Sequence, residues 1–302
     1  MHFDGGVEMI SSINSRNIIG IDSCDIKVEV DIGKGMPAFN IVGLASTEIK
    51  EARERVKSAI TNSGYRFPNA RIVVNLSPAD MKKQGSFLDL PISMGILRDK
   101  IKAKDKEMTD SVFVGELSLD GTVKSIKGIL PIVIGAKENG YEKIFVPRDN
   151  FNECSFIDGI EIIPVSSLKN CISILNGGIT KIEIEGIKSD ILKDEELKNS
   201  VDEKIDFSDI KGNIYVKRCA EISVAGGHNM LMIGPPGSGK SFLAKRMPTI
   251  FPDMTREEML EVSRIYSVCS NSVERSGLIE NRPFRAPHHT CTGISLIGGG
   301  VD

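Results

Sequence analysis

The sequence predicts an α/β chain in two domains, and three observations carry that expectation. Segments of apolar–polar alternation, which suit half-buried strands, are interleaved through the first 176 residues with segments of helical apolar period. A glycine-rich loop at 234–241 joins a short apolar run to an apolar-faced segment, the pattern of a strand turning into a helix. Between these regions, residues 177–206 carry fourteen charged side chains in thirty and no aromatic, too little apolar surface to order alone. At 302 residues the chain is long enough for two domains. The expected organisation is an α+β body over 1–176, a charged linker with at most one partly helical stretch over 177–206, and the first part of an α/β domain over 207–302.

Taken in order, residues 25–32 alternate strictly and predict a half-buried strand. Residues 38–43 predict a second strand after a Gly-Lys-Gly-Met-Pro turn. A helix is expected over 47–63, with Ile49, Ala52, Val56, Ala59 and Ile60 on its apolar face and Gly64 as its stop. Residues 71–76 predict a strand ended by Ser77 and Pro78. The segment 82–91 leads into an apolar helix through Leu97, and 112–117 predict a strand with a turn at Asp120 and Gly121. A helix over 129–139, short strands over 143–146 and 160–163, and a closing helix over 167–175 complete the body. In the second domain, 220–227 predict a helix with a glycine stop, 229–233 a short buried strand, and 242–246 the first turns of a helix. Thr255-Arg256-Glu257-Glu258 is a capping box for a helix to about Val268.

Composition narrows the function classes. Hydrophobic residues at 40% and charged residues at 26% describe an ordinary globular chain. A net charge of −3 supplies no global basic field for nucleic acid, although a local groove stays open. Cys24, Cys154, Cys171, Cys219, Cys269 and Cys291 are scattered, with no C-x-x-C pair or zinc-ligand spacing, and read as reduced thiols. No apolar run approaches transmembrane length, and the polar start from Met1 lacks a signal-peptide core. A cytoplasmic location without a membrane partner is expected.

The loop at 234–241 carries the chemistry. Gly234, Pro235, Pro236, Gly237, Ser238, Gly239, Lys240 and Ser241 fit G-x-x-x-x-G-K-[ST] without a mismatch. Glycines let backbone N–H groups approach phosphate oxygens, and the new helix adds its positive end. Lys240 is expected to reach the β- and γ-phosphates of ATP as a compact charge. The Ser241 hydroxyl is expected to ligate the Mg2+ that bridges them, with Phe242 opening the helix behind.

A second cluster is Arg282, Arg285, His288 and His289, four basic side chains within eight residues. They suit phosphates of DNA or a neighbouring subunit. A structural loop fixed by its prolines is the competing reading. A metal site is the weakest, because the adjacent histidines have Cys291 alone beside them and no Asp or Glu nearby.

Residues 206–213, 234–241 and 282–290 together resemble the magnesium-chelatase-like AAA+ ATPases of the ComM/YifB type. In that family a domain similar to the Lon protease and ribosomal S5 fold precedes the ATPase, and residues 14–176 resemble that domain. The resemblance implies an ATP-driven, hexameric, DNA-associated motor engaged in branch migration. It also implies that Ile210 and Gly212 lie near the adenine. Where Lon-type proteases carry a Ser–Lys dyad, this sequence has Asp89 and Leu130, so no peptidase activity is expected. Ser86 and Lys127 leave a shifted dyad as the alternative. No acidic Walker B strand follows Ser241, so the chain is expected to be the front part of a longer protein that binds ATP without hydrolysing it. Three other functions stay open: a magnesium-chelatase subunit, an ATP-dependent Lon-like protease, and a nucleotide-binding regulatory module without turnover.

Overall fold

The structure is a computed structural model that describes residues 9–43, 47–81, 83, 85–198, 205–269, 277–288 and 290–294. Two units are distinguished, Met1–Ser200 with Glu261–Leu278, and Val201–Leu260 with Ile279–Asp302.

The first unit begins with β1 (Met9–Ile19), β2 (Asp22–Gly33) and β3 (Ala38–Val42), followed by α1 (Thr47–Asn62), β4 (Arg71–Ser77), α2 (Asp89–Ile96) and α3 (Asp105–Thr109). Next come β5 (Ser111–Phe113), β6 (Glu116–Leu117), β7 (Val123–Lys124), α4 (Ile129–Glu138) and β8 (Lys143–Pro147). It continues through α5 (Phe151–Cys154), β9 (Glu161–Val165), α6 (Leu168–Leu175) and α7 (Lys181–Lys198). Seven strands form one mixed sheet in the order β3-β4-β2-β1-β5-β8-β9. β2 runs antiparallel to β1 and β4, and the other neighbours are parallel. The predicted alternation is realised in β2, where Ile26, Val28 and Val30 are buried on one face. All five apolar residues expected on the α1 face are buried, and Gly64 takes the left-handed conformation after the helix.

β1 has no counterpart in the sequence reading. Its inward positions include Ser11 and Ser15, which break the apolar period. Their hydroxyls donate to Gly95 O at 2.8 Å and Phe113 O at 2.9 Å, so burial leaves them satisfied. Gly95 lets α2 lie against the sheet, since a Cβ there would meet Val30 Cγ2 at 2.5 Å. The strand expected over 112–117 is split. Gly115 N donates to Phe87 O, and Gly115 O accepts from Leu90 N, which ties that point to the lead-in of α2. Glu116 and Leu117 instead pair with Val123 and Lys124 in a two-stranded hairpin.

The segment expected to be a charged linker contains the eighteen-residue helix α7. Ile184 and Ile191 stand seven residues apart, two helical turns, and both are buried as α7 packs against α5 and β9. Two aligned isoleucines hold the helix despite its charge.

The second unit contains a 3-10 turn at Phe207–Asp209, α8 (Ile214–Gly226), α9 (Lys240–Arg246) and the start of α10 (Arg256–Cys269). The residues of α10 from Glu261 group with the first unit. The capping box is made: Thr255 N donates to Glu258 Oε2 at 2.9 Å and Glu258 N to Thr255 Oγ1 at 3.2 Å. The core of this unit is Phe207, Ile210, Ala220 and Leu243, with Met230 and Met232 packed against it. The strand expected over 229–233 is not formed. Met230 and Met232 turn inward while Leu231 and Ile233 are 85% and 89% exposed, so the alternation of a strand is present without a ladder. Among the described residues of this unit no strand lies beside it to accept those hydrogen bonds. No described helix is long and apolar enough to cross a membrane.

Candidate functional site

The loop at 234–241 is shaped by its glycines. Gly237 and Gly239 take positive φ of 81° and 88°, where a side chain would strain the backbone. Gly239 is the residue from which α9 starts, and Leu243 N donates back to Gly239 O at 2.9 Å. The Lys240 ammonium turns over the loop and donates to Gly234 O at 2.8 Å, Pro235 O at 2.8 Å and Ser238 Oγ at 3.1 Å. At Gly234 a Cβ would come within 3.1 Å of Ser238 Oγ, so the loop is closely packed there. The result is an exposed cradle with a cation held across its mouth by neutral oxygens. Ser241 is exposed on the first turn of α9.

Ile210 and Gly212 belong to the same unit. Ile210 is buried in its core, and Gly212 turns the chain at φ 69°. Asp209, one residue before Ile210, pairs with Arg246 Nε at 3.1 Å and so ties this turn to the last residue of α9. The same guanidinium stands 3.5 Å from the centre of the half-exposed Phe242 ring. Arg246 is a positioning residue that sequence reasoning missed. Its partner is 37 positions away, and no local pattern announces that pair.

The basic cluster divides. Arg282 donates to Pro252 O at 3.0 Å and to Glu258 Oε2 at 3.0 Å, anchoring its loop to the first turn of α10. Arg285 and His288 are exposed, with His288 Nδ1 2.8 Å from Thr290 Oγ1. His289 lies outside the described residues. Among the described residues, no three His, Cys, Asp or Glu side chains come together as a metal site.

In the first unit, Asp89 and Leu130 are both buried, at 1% and 0% exposure. Asp89 accepts from Arg55 Nε at 2.8 Å and Nη2 at 3.2 Å, and from Leu117 N at 3.2 Å. Burial pushes its carboxyl up to about 6, against the pull of Arg55. Ser86, three residues earlier, donates to the Glu116 carboxylate.

Two family descriptions match this chain: "Subunit ChlI of Mg-chelatase" over residues 28–150 and "Magnesium chelatase, subunit ChlI" over residues 206–302. The chain is similar to the uncharacterized protein YifB of Escherichia coli K12, 38% identical over 293 residues, covering 97% of this chain and 56% of YifB. It is 34% identical over 292 residues to the competence protein ComM of Haemophilus influenzae, again covering 97% of this chain and 56% of the relative. A more distant similarity is to Lon protease 2 of Bacillus subtilis, 28% identical over 185 residues, 54% of this chain and 33% of that protease. The chain spans about half the length of the curated relatives YifB and ComM.

Proposed function

The chain belongs to the magnesium chelatase subunit ChlI family, of the type that YifB and ComM represent, and from that premise we propose that its second unit binds ATP with Mg2+. The observation that carries this reading is Lys240 drawn over the 234–241 loop by three oxygens. Phosphate oxygens are stronger partners for an ammonium than neutral carbonyls. On binding, Lys240 exchanges the carbonyls of Gly234 and Pro235 for the β- and γ-phosphates. The backbone N–H groups of 237–241 would donate to the same oxygens, and Ser241 Oγ would be this chain's ligand for the ion, whose chemistry there would be to offset phosphate charge. Ile210 and Gly212 are the residues proposed to lie near the adenine, and Arg246 keeps Phe242 and Asp209 in register.

The whole protein is read as an ATP-driven machine that works on DNA as a hexameric ring in the cytoplasm. The competence role in the name of ComM supports DNA as the substrate. Arg285, His288 and His289 are the residues proposed to meet DNA or a neighbouring subunit, whereas Arg282 serves the loop. The organisation proposed is a Lon-like body without peptidase activity, a connecting segment and a nucleotide-binding part.

Calorimetric titration with Mg-ATP tests the site. Charge-assisted contacts are worth about 1.5–3 kcal/mol, so Lys240→Ala is expected to weaken binding roughly ten- to hundredfold. Equal affinities overturn the role of Lys240. Phosphate release by a protein of YifB length, with and without single-stranded DNA, tests the motor. No stimulation by DNA removes that part of the reading.

A further inference from the structure

The first unit holds a cavity of about 770 Å3, within the usual range for ligand pockets. Its polar wall is made by Glu51, Arg55, Ser86, Glu116, Ser125 and Lys127, drawn from α1, from the lead-in to α2, from β6 and from the loop before α4. Phe87 and Ile126 give it apolar surface. Among the described residues, carboxylates and cations are equal in number on this wall.

That balance selects among ligands. A nucleotide or nucleic acid brings phosphates that need an excess of cations, and here they would meet Glu51 and Glu116. A divalent cation needs converging acids or imidazoles, and the described residues offer no such group. An extended peptide fits: its amides donate and accept, and its side chains supply both charge signs and apolar groups. We propose that this cavity binds an extended peptide segment and leaves it uncut.

The uncut outcome follows from the groups beside the cavity. Acyl transfer needs an activated nucleophile and a base. Asp89 is buried and engaged by Arg55, and Leu130 has no basic atom. The Ser86 hydroxyl donates its one proton to the Glu116 carboxylate and not to Lys127, the lysine on the same wall that a shifted dyad would need, and a carboxylate is a weaker base than that amine.

The test is fluorescence anisotropy of the full 302-residue chain with fluorescein-labelled unfolded casein. Labelled oligothymidine is run in parallel. Saturable casein binding is expected. Ser125→Trp, which narrows the cavity, and Lys127→Glu, at an exposed rim position, should each weaken it at least tenfold with the unfolding midpoint unchanged. Casein should be recovered intact on a gel. Absent casein binding, binding that both variants leave unchanged, or casein fragments in the reaction would overturn the proposal. So would oligothymidine binding that both variants abolish. Nucleotide titration of the same variants is expected to match the parent chain, so the outcome here is separable from that at Lys240.

Discussion

Asp89 and Arg55 show how burial decides between opposing effects on one carboxyl. The Arg55 guanidinium is held up by its bond to Asp89, and by itself that attraction would lower the carboxyl. Asp89 nevertheless rises from 3.8 to about 6, because it is 1% exposed while Arg55 keeps a quarter of its side chain in water. A carboxyl raised in the folded state holds protons that the unfolded chain has already released between about pH 4 and 6. Asp89 therefore favours the fold at low pH, and that contribution is lost as pH rises through about 6. Arg55→Ala sharpens the effect, since above pH 6 it leaves a buried charge with one backbone partner, Leu117 N. A loss of about 3–5 kcal/mol is expected at pH 8 and a much smaller one at pH 5, where the carboxyl is protonated. Urea midpoints of both forms at the two pH values check this, and equal deficits would overturn it.

Elements were legible where the period of their apolar residues was intact. α1 and β2 are such cases, because every inward position carries an aliphatic side chain. β1 was not, because Ser11 and Ser15 occupy inward positions and bond to carbonyls of distant segments. The apolar run at 229–233 misled in the other direction. Five apolar or neutral residues state a preference for a buried strand, but a ladder needs neighbours that the run itself does not specify. The loop that follows was legible because its glycines and lysine act through local backbone geometry, whereas the Asp209–Arg246 pair that steadies it was invisible at 37 positions' separation. α7 was hidden by its own charge. Ile184 and Ile191 are few among many acids and lysines, yet they decide where the helix lies. Truncating either isoleucine to alanine is expected to cost about 2 kcal/mol, the low end for a buried aliphatic side chain. Limited trypsin digestion would show the consequence, with cleavage at Lys188 and Lys193 appearing in Ile184→Ala and Ile191→Ala before any cut in the strands. Cleavage rates equal to those of the parent chain would show that the two isoleucines do not hold the helix.

At the scale of the whole molecule, the two units have unequal means of stability. The first buries one continuous cluster from Ile13 to Leu175, drawn from most of its strands and helices. The described apolar cluster of the second is four residues with four partly buried neighbours, Val224 and Met254 are its other described buried hydrophobics, and Leu231, Ile233, Tyr215 and Ile214 stand largely in solvent. Apolar area removed from water is the main favourable term in folding, so the second unit has less to set against its chain entropy. A ligand that binds only the folded form of that unit adds stability by mass action, about 2.7 kcal/mol at a hundred times its Kd. For a unit of roughly a hundred residues this corresponds to a shift on the order of 10 °C. Scanning calorimetry of the 302-residue chain is therefore expected to give two transitions, the lower one belonging to the second unit. Mg-ADP should raise that lower transition by this order and leave the upper one in place, and Lys240→Ala should abolish the shift. A single transition that moves as a whole would show that the two units unfold together. A lower transition raised equally in Lys240→Ala would move the nucleotide away from the 234–241 loop.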